Sequence, residues 1–184
     1  MRLVAGTYAP ECTFSTLRGT EESLSSLKGA PVWVSFSRFA ACPLCNYEIH
    51  RIRGEWENRF KGISFRHLRV MQSPMEKLTE FVATKDPPFD LVADPEMHAY
   101  RAFKVERSIL KMFTPGSLKV GLAAAKAGFR PHGTSEGPVT RVPADFLIDG
   151  EGVIRVAFYG SHIADHVSLD VVSDFLDRYA TRPG

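Results

Sequence analysis

Cys42 and Cys45 stand three residues apart in Cys42-Pro43-Leu44-Cys45, where a strand-like run (31–36) meets a helix-like run starting at Pro43. A helix N-terminus carries partial positive charge on its unpaired N–H groups, which favours a thiolate. A second sulfur three residues on can trap an oxidised form of the first as a disulfide. A low-pKa thiolate beside a resolving thiol is the working unit of thiol redox chemistry. Arg38, four residues before Cys42, suits a cation that favours the thiolate or orients an oxidant; a solvated loop arginine is an equal alternative. Half of a zinc site is the competing use of Cys-x-x-Cys. It needs two more ligands, from Cys12 and a histidine, and the chain has no second paired motif. The expectation is therefore no metal and no cofactor.

The helix that must carry the motif is legible. Cys45, Ile49, Ile52, Trp56 and Phe60 recur at helical spacing and share one face, while His50, Arg51, Glu55 and Glu57 fall on the other. Lys61-Gly62 suits its end. This places Cys45 towards the core and Cys42 at an exposed tip, with Cys42 the attacker and Cys45 the resolver. Val32-Trp33-Val34-Ser35-Phe36 reads as a buried strand ahead of it. Ile63 to Val70 reads as a second strand, Pro74 to about Thr84 as a helix behind Ser73, and Leu91-Val92-Ala93 as a third strand. Asp94-Pro95 reads as a helix start. Residues 105–131 read as helix, break at Thr114-Pro115-Gly116, helix. Asp149-Gly150-Glu151-Gly152 joins two strands, Ala144 to Ile148 and Val153 to Phe158, as a hairpin. Ser168 to Tyr179 closes as a helix. Residues 8–30 read as an extended piece with turns. The order implies an α/β fold with a mixed sheet and helices on both faces.

The 184 residues suffice for one domain, 1–184. Hydrophobic residues at 44% and charged residues at 24% are ordinary for a globular chain. No run approaches ~20 apolar residues, and the start has no apolar signal segment, so the expectation is a cytoplasmic protein without membrane contact. Three cysteines, an odd and low count, argue against a disulfide scaffold. The +2 formal charge is unevenly spread: residues 101–132 hold seven basic side chains and one acidic. They lack the interleaved aromatics of a nucleic-acid surface, so no nucleic-acid partner is expected. The plain reading is a packing helix with snorkelling Lys and Arg; a dimer surface or a wall of the site comes second.

With these residues in view, the chain resembles the thioredoxin superfamily, and within it the peroxiredoxin-like branch of the alkyl hydroperoxide reductase/thiol-specific antioxidant family. The resemblance rests on Ala9-Pro10-Glu11-Cys12-Thr13-Phe14, Ser35 to Cys45, Leu91 to Val105, and Val142 to Asp149. It implies a thioredoxin-like fold, a central mixed sheet flanked by helices, with a helical insertion around 105–131. It also implies that Val142-Pro143 is a cis peptide facing the thiols, which makes Pro143 a site residue. The chain departs from the pattern in places. Peroxiredoxins keep a Thr three residues before the attacking Cys and a Pro four before that; here these are Phe39 and Ser35. They have an Arg where this chain aligns Pro143, and Arg38 and Arg141 are the nearest replacements. Thioredoxins place a Trp before the first Cys and a buried Asp six residues before it; here these are Ala41 and Phe36.

The expectation is a thiol oxidoreductase that reduces a peroxide or a disulfide through Cys42 and Cys45, is recycled by an external dithiol such as a thioredoxin or glutathione system, and forms a homodimer. A disulfide reductase without peroxidase activity and a non-enzymatic redox-sensing module are the alternatives. Asp145 is a proton acceptor for Cys45 in one reading and a half-exposed strand residue in the favoured one. His50 reads as surface, His132 as a loop residue able to approach the site, and Cys12 as a buried, inert thiol.

Overall fold

The structure is a computed structural model that describes residues 1–131, 133 and 135–181, with Lys85 described by its backbone alone. Among the described residues, seven strands form one mixed sheet: β1 (Thr13–Thr16), β2 (Glu21–Ser23), β3 (Val32–Phe36), β4 (Arg66–Met71), β5 (Asp90–Ala93), β6 (Ala144–Ile148) and β7 (Ile154–Tyr159). Their order is β2-β1-β5-β4-β3-β6-β7. The three central strands β3, β4 and β5 run parallel, and β6 lies antiparallel beside β3. The helices are α1 (Pro43–Phe60), α2 (Met75–Phe81), α3 (His98–Ala102), α4 (Pro115–Lys126) and α5 (Leu169–Tyr179).

Strand alternation sorts the core into two layers. Trp33, Met71, Leu91 and Leu147 face α1, α2 and α5, where they meet Ile49, Ile52, Leu78 and Phe175. Val34, Phe36, Leu68, Val70 and Phe146 face the other way, onto Tyr100 and Phe103 at α3. Ile49, Ile52 and Phe60 are buried. Each contributes about 1.5–3 kcal/mol of transfer free energy. The predicted apolar face of α1 is thus the face that seats the helix.

Several boundaries depart from the sequence reading. Residues 8–30 contain the edge hairpin β1–β2, whose short polar strands carry little periodic signal. Asp94 does not open a helix at Pro95. Its carboxylate reaches forward and accepts from the N–H groups of His98, Ala99 and Tyr100, so α3 begins four residues after Asp94. In 105–131 the first predicted helix shrinks to a single 3-10 turn, Leu110–Met112. Thr114-Pro115 does not merely break the stretch. Thr114 caps α4 by accepting from Ser117 N at 3.1 Å, and Pro115 takes the first helical position. α4 packs against α1, as a packing helix should, but through small residues and not through its large apolar ones. Ser117 and Ala124 form its buried side, whereas Leu118, Leu122 and, on the preceding turn, Ile109, Leu110 (86%) and Phe113 (83%) are exposed. The hairpin at 149–152 forms as read: Asp149 accepts from Glu151 N at 3.0 Å and Val153 N at 2.9 Å. Among the described residues no helix is long and apolar enough to cross a membrane.

Candidate active site

β3 ends at Phe36, and the chain turns through 37–42 into α1. The turn is fixed from several sides. Ser37 N donates to Val70 O, Gln72 N to Arg38 O, Ala40 N to Ser73 Oγ, and Asn46 Nδ2 to Ala40 O and Cys42 O. Cys42 is the N-cap of α1. Its extended backbone hands over to Pro43, and its sulfur accepts from Cys45 N at 3.2 Å.

Both sulfurs are buried: Cys42 is 0% exposed and Cys45 3%. The exposed tip expected for Cys42 is therefore corrected. Residues 136–139 close over the turn. Arg38 Nη1 donates to Val139 O at 3.1 Å, Gln72 Nε2 to Pro138 O at 3.2 Å, and Ser73 Oγ to Glu136 Oε2 at 2.6 Å. The cysteines are free thiols.

Arg38 is no solvated loop residue. It is 5% exposed, and its Nη2 stands 2.9 Å from Cys42 Sγ. Burial works against its charge, and the sulfurs beside it more than offset that, so its pKa is raised and it stays cationic. Around the two thiols, burial opposes charge at either sulfur. The hydrogen bond between them and the Arg38 guanidinium favour a single thiolate. The pair gives up one proton readily and holds the other hard. With the shared proton on Cys42, burial and that hydrogen bond push its thiol well up, and Cys45 falls to about 5. The donors, however, converge on Cys42: Arg38 Nη2 and Cys45 N both reach its sulfur. Geometry thus makes Cys42 the better seat for the anion once the proton moves to Cys45.

Pro143 is buried just ahead of β6, and the register Phe36↔Ala144 sets it at the same sheet end as the 37–42 turn. No peptide bond among the described residues is cis, so the expected cis Val142-Pro143 is corrected. Arg107 and Arg141 form a bridge, and Val142 N donates to Glu106 O at 3.1 Å, which ties down the approach to β6. The default trans form is left in place. Arg141 is no replacement at the thiols: Nη1 holds Val105 O at 3.0 Å, and its guanidinium lies over the Tyr100 ring.

Asp145 is not half-exposed. It is fully buried and accepts from Trp33 Nε1 at 3.0 Å and Val167 N at 3.1 Å, with His166 Nδ1 also at 3.0 Å. Beside it lie two residues the sequence reading passed over, Arg69 and His166. Charged residues at inward positions of a central strand were the available signal. Cys12 packs on the opposite side of the sheet from Cys42 and Cys45, so the three cannot share a metal. Burial, then Glu11 and Asp94, push its thiol up to about 12, which leaves it unreactive at neutral pH. His50 is exposed, as expected, and lines a hollow of about 560 Å³ with Tyr47, Arg59 and Asp170. A second hollow, about 670 Å³, lies against Phe113, Leu118 and Ile163. Neither is lined by Cys42 or Cys45. His132 lies outside the described residues.

The fold is shared with solved thiol proteins. A peroxidoxin of Mycobacterium tuberculosis superposes with a TM-score of 0.68 at 17% identity, covering 96% of this chain and 98% of its own. A peroxiredoxin-like protein of Aquifex aeolicus gives 0.69 at 14% identity, covering 97% and 88%. A yeast mitochondrial 1-Cys peroxiredoxin, whose thiol is resolved via glutathione/thioredoxin systems, gives 0.64 at 15% identity, covering 95% and 75%. No curated protein matches the chain. The model of the AhpC/TSA family matches residues 5–157, the span that carries β1 to β6, most of β7, the thiol turn and α1. The chain belongs to the AhpC/TSA family and is a thiol-dependent oxidoreductase.

Proposed function

We propose that the protein reduces a peroxide through a Cys42–Cys45 dithiol. The observation that carries this reading is the pair of donors on Cys42 Sγ, Arg38 Nη2 at 2.9 Å and Cys45 N at 3.2 Å. The Cys42 thiolate attacks one peroxide oxygen. The O–O bond breaks, Cys42 becomes a sulfenic acid, and the second oxygen leaves as alkoxide or hydroxide and takes a proton. Cys45 thiolate then attacks the sulfenic sulfur. The S–S bond forms, and the displaced hydroxide takes a proton and leaves as water. An external reductant, either a thioredoxin-type dithiol or two glutathione thiols in turn, returns the two electrons by exchange.

Peroxide is favoured over a protein disulfide by two features. The sulfurs have almost no exposed surface, which suits a small oxidant. The backbone beside Pro143, where an extended substrate strand would pair, already commits the Val142 N–H to Glu106 O.

Reduced protein titrated with hydrogen peroxide, and separately with a model protein disulfide, tests the reading. Wild type is expected to lose two thiols per peroxide, Cys45→Ser to stop at a sulfenic acid trapped by dimedone, and Cys42→Ser to be inert. Faster reaction with the disulfide, or peroxide consumption that survives Cys42→Ser, would sink it.

A further inference from the structure

Under α1, the central strands carry a polar row where a core would ordinarily be apolar. The register sets Ser35 opposite Arg69 on β4 and opposite Asp145 on β6. All three are buried, on the sheet face that α1 and its two cysteines cover. The turn before α5 delivers His166 into this row. Gly160 N donates to Pro143 O and Ser161 N to Asp165 Oδ2, while Val167 N donates to Asp145 Oδ2. Gly160 is required there, because a Cβ would stand 2.5 Å from Asp165 O.

The donors fix the state of the ring. Arg69 Nη2 lies 3.3 Å from His166 Nε2. A guanidinium can only donate. Nε2 therefore accepts, the ring is neutral, and its one proton sits on Nδ1 and is donated to Asp145 Oδ2. Asp145 thus sets the tautomer, and the tautomer holds Arg69. Arg69 Nε donates to Ser37 Oγ at 2.9 Å, and Nη1 has no acceptor among the described residues. A buried guanidinium N–H without an acceptor is costly in a resting structure. It is useful where negative charge gathers during a reaction.

We propose that Arg69, aimed by Asp145 and His166, is the positioning residue that stabilises thiolate on Cys45 and so makes it a good leaving group. The proposal rests on the dithiol reading above. In the recycling step, an external thiolate attacks Cys42 of the disulfide. A new S–S bond forms at Cys42, the Cys42–Cys45 bond breaks, and its electron pair leaves on Cys45. A lower leaving-group pKa speeds that step. Arg38 donates to Cys42 and its charge also favours ionised Cys45; Arg69, on the strand face under α1 and tied by Nε to Ser37 of the thiol turn, adds a second charge that favours it. Arg69 also faces His67, held neutral by burial, and Tyr100, held protonated by burial.

The test is the thiolate absorbance of reduced full-length protein against pH in a Cys42→Ser background, where Cys12 stays protonated. Arg69→Gln is expected to raise the Cys45 pKa by about one unit or more, and Arg69→Lys to recover part of it. His166→Phe keeps the charge but unhooks it, and should give a smaller shift of the same sign; it also covers a failure of Arg69→Gln to fold. In the otherwise wild-type protein, dithiothreitol reduction of the disulfide should slow about threefold or more with Arg69→Gln. A Cys45 pKa that stays put in folded Arg69→Gln and His166→Phe overturns the proposal. Because this readout needs no turnover, it decides the role of Arg69 even if no disulfide forms with peroxide, an outcome that would strike only the dithiol reading.

Discussion

Replacing Arg38 with Met removes one charge from beside Cys42 Sγ while leaving an unbranched side chain in its place. The guanidinium stands 2.9 Å from the sulfur. At that separation and an effective dielectric of ~20, its gross attraction for a thiolate is on the order of 6 kcal/mol. Much of that only offsets the burial of both charges. The net contribution of a charge-assisted hydrogen bond is ~1.5–3 kcal/mol, or about 1–2 pKa units. The amide of Cys45 still donates to the sulfur, so the thiolate is weakened rather than abolished. The assay is the pH dependence of Cys42 alkylation by iodoacetamide, with the site mapped by mass spectrometry. Its midpoint should rise by about 1–2 units, cutting the rate roughly ten- to a hundredfold at pH values below the wild-type midpoint. The substitution also frees Val139 O, which loosens the segment over the thiols and raises access. The midpoint separates the two effects, since access changes the plateau and not the pH at which it is reached. A midpoint shifted by less than about 0.3 units in folded Arg38→Met would refute the assignment of Arg38 to the thiolate.

Two further outcomes follow from the thiol pair and from the apolar face of α4. The pair holds a thiolate with a folded pKa of about 5, below the ordinary thiol value of 9.0. The unfolded chain therefore binds more protons between these limits, and the contribution, full above pH ~9, is lost as pH falls towards ~5. Reduced wild type should lose more melting temperature than Cys45→Ser between about pH 8 and about pH 5; equal slopes would contradict it. We propose that the expected homodimer uses Ile109, Leu110, Phe113, Leu118 and Leu122, all exposed. Leu110→Asp with Phe113→Asp should then give a monomer by sedimentation, and an unchanged mass would remove this face from consideration.

What can be read from the chain follows local rules. The Cys-x-x-Cys, its helix, the strand before it and the 149–152 hairpin each announce themselves by spacing or turn chemistry within a short stretch. Arg69, Asp145 and His166 do not, because they meet through register between strands and a turn 97 residues from Arg69. A charge in a strand is ambiguous until its neighbours are known: Asp145 reads as half-exposed and is the centre of a buried network. The burial of Cys42 is equally illegible, since it depends on residues 136–139 reaching back over a turn that local rules place at a tip. Arg38 stays ambiguous in the sequence because only the folded chain shows where its two nitrogens go.

The three hydrogen bonds that fasten 136–139 over the thiol turn act as a sieve with a free-energy cost. At roughly 1 kcal/mol net each, releasing all three would leave the turn open about 1% of the time. A peroxide small enough to slip between the side chains avoids that cost. A protein partner must wait for the open form, and its apparent affinity falls by the same factor of about one hundred. Arg38 is one of the three fasteners and also donates to the Cys42 sulfur, so a change of charge on that sulfur is felt by the segment covering it. The oxidised protein, whose sulfur no longer holds the guanidinium by charge, is the form that must receive the large reductant.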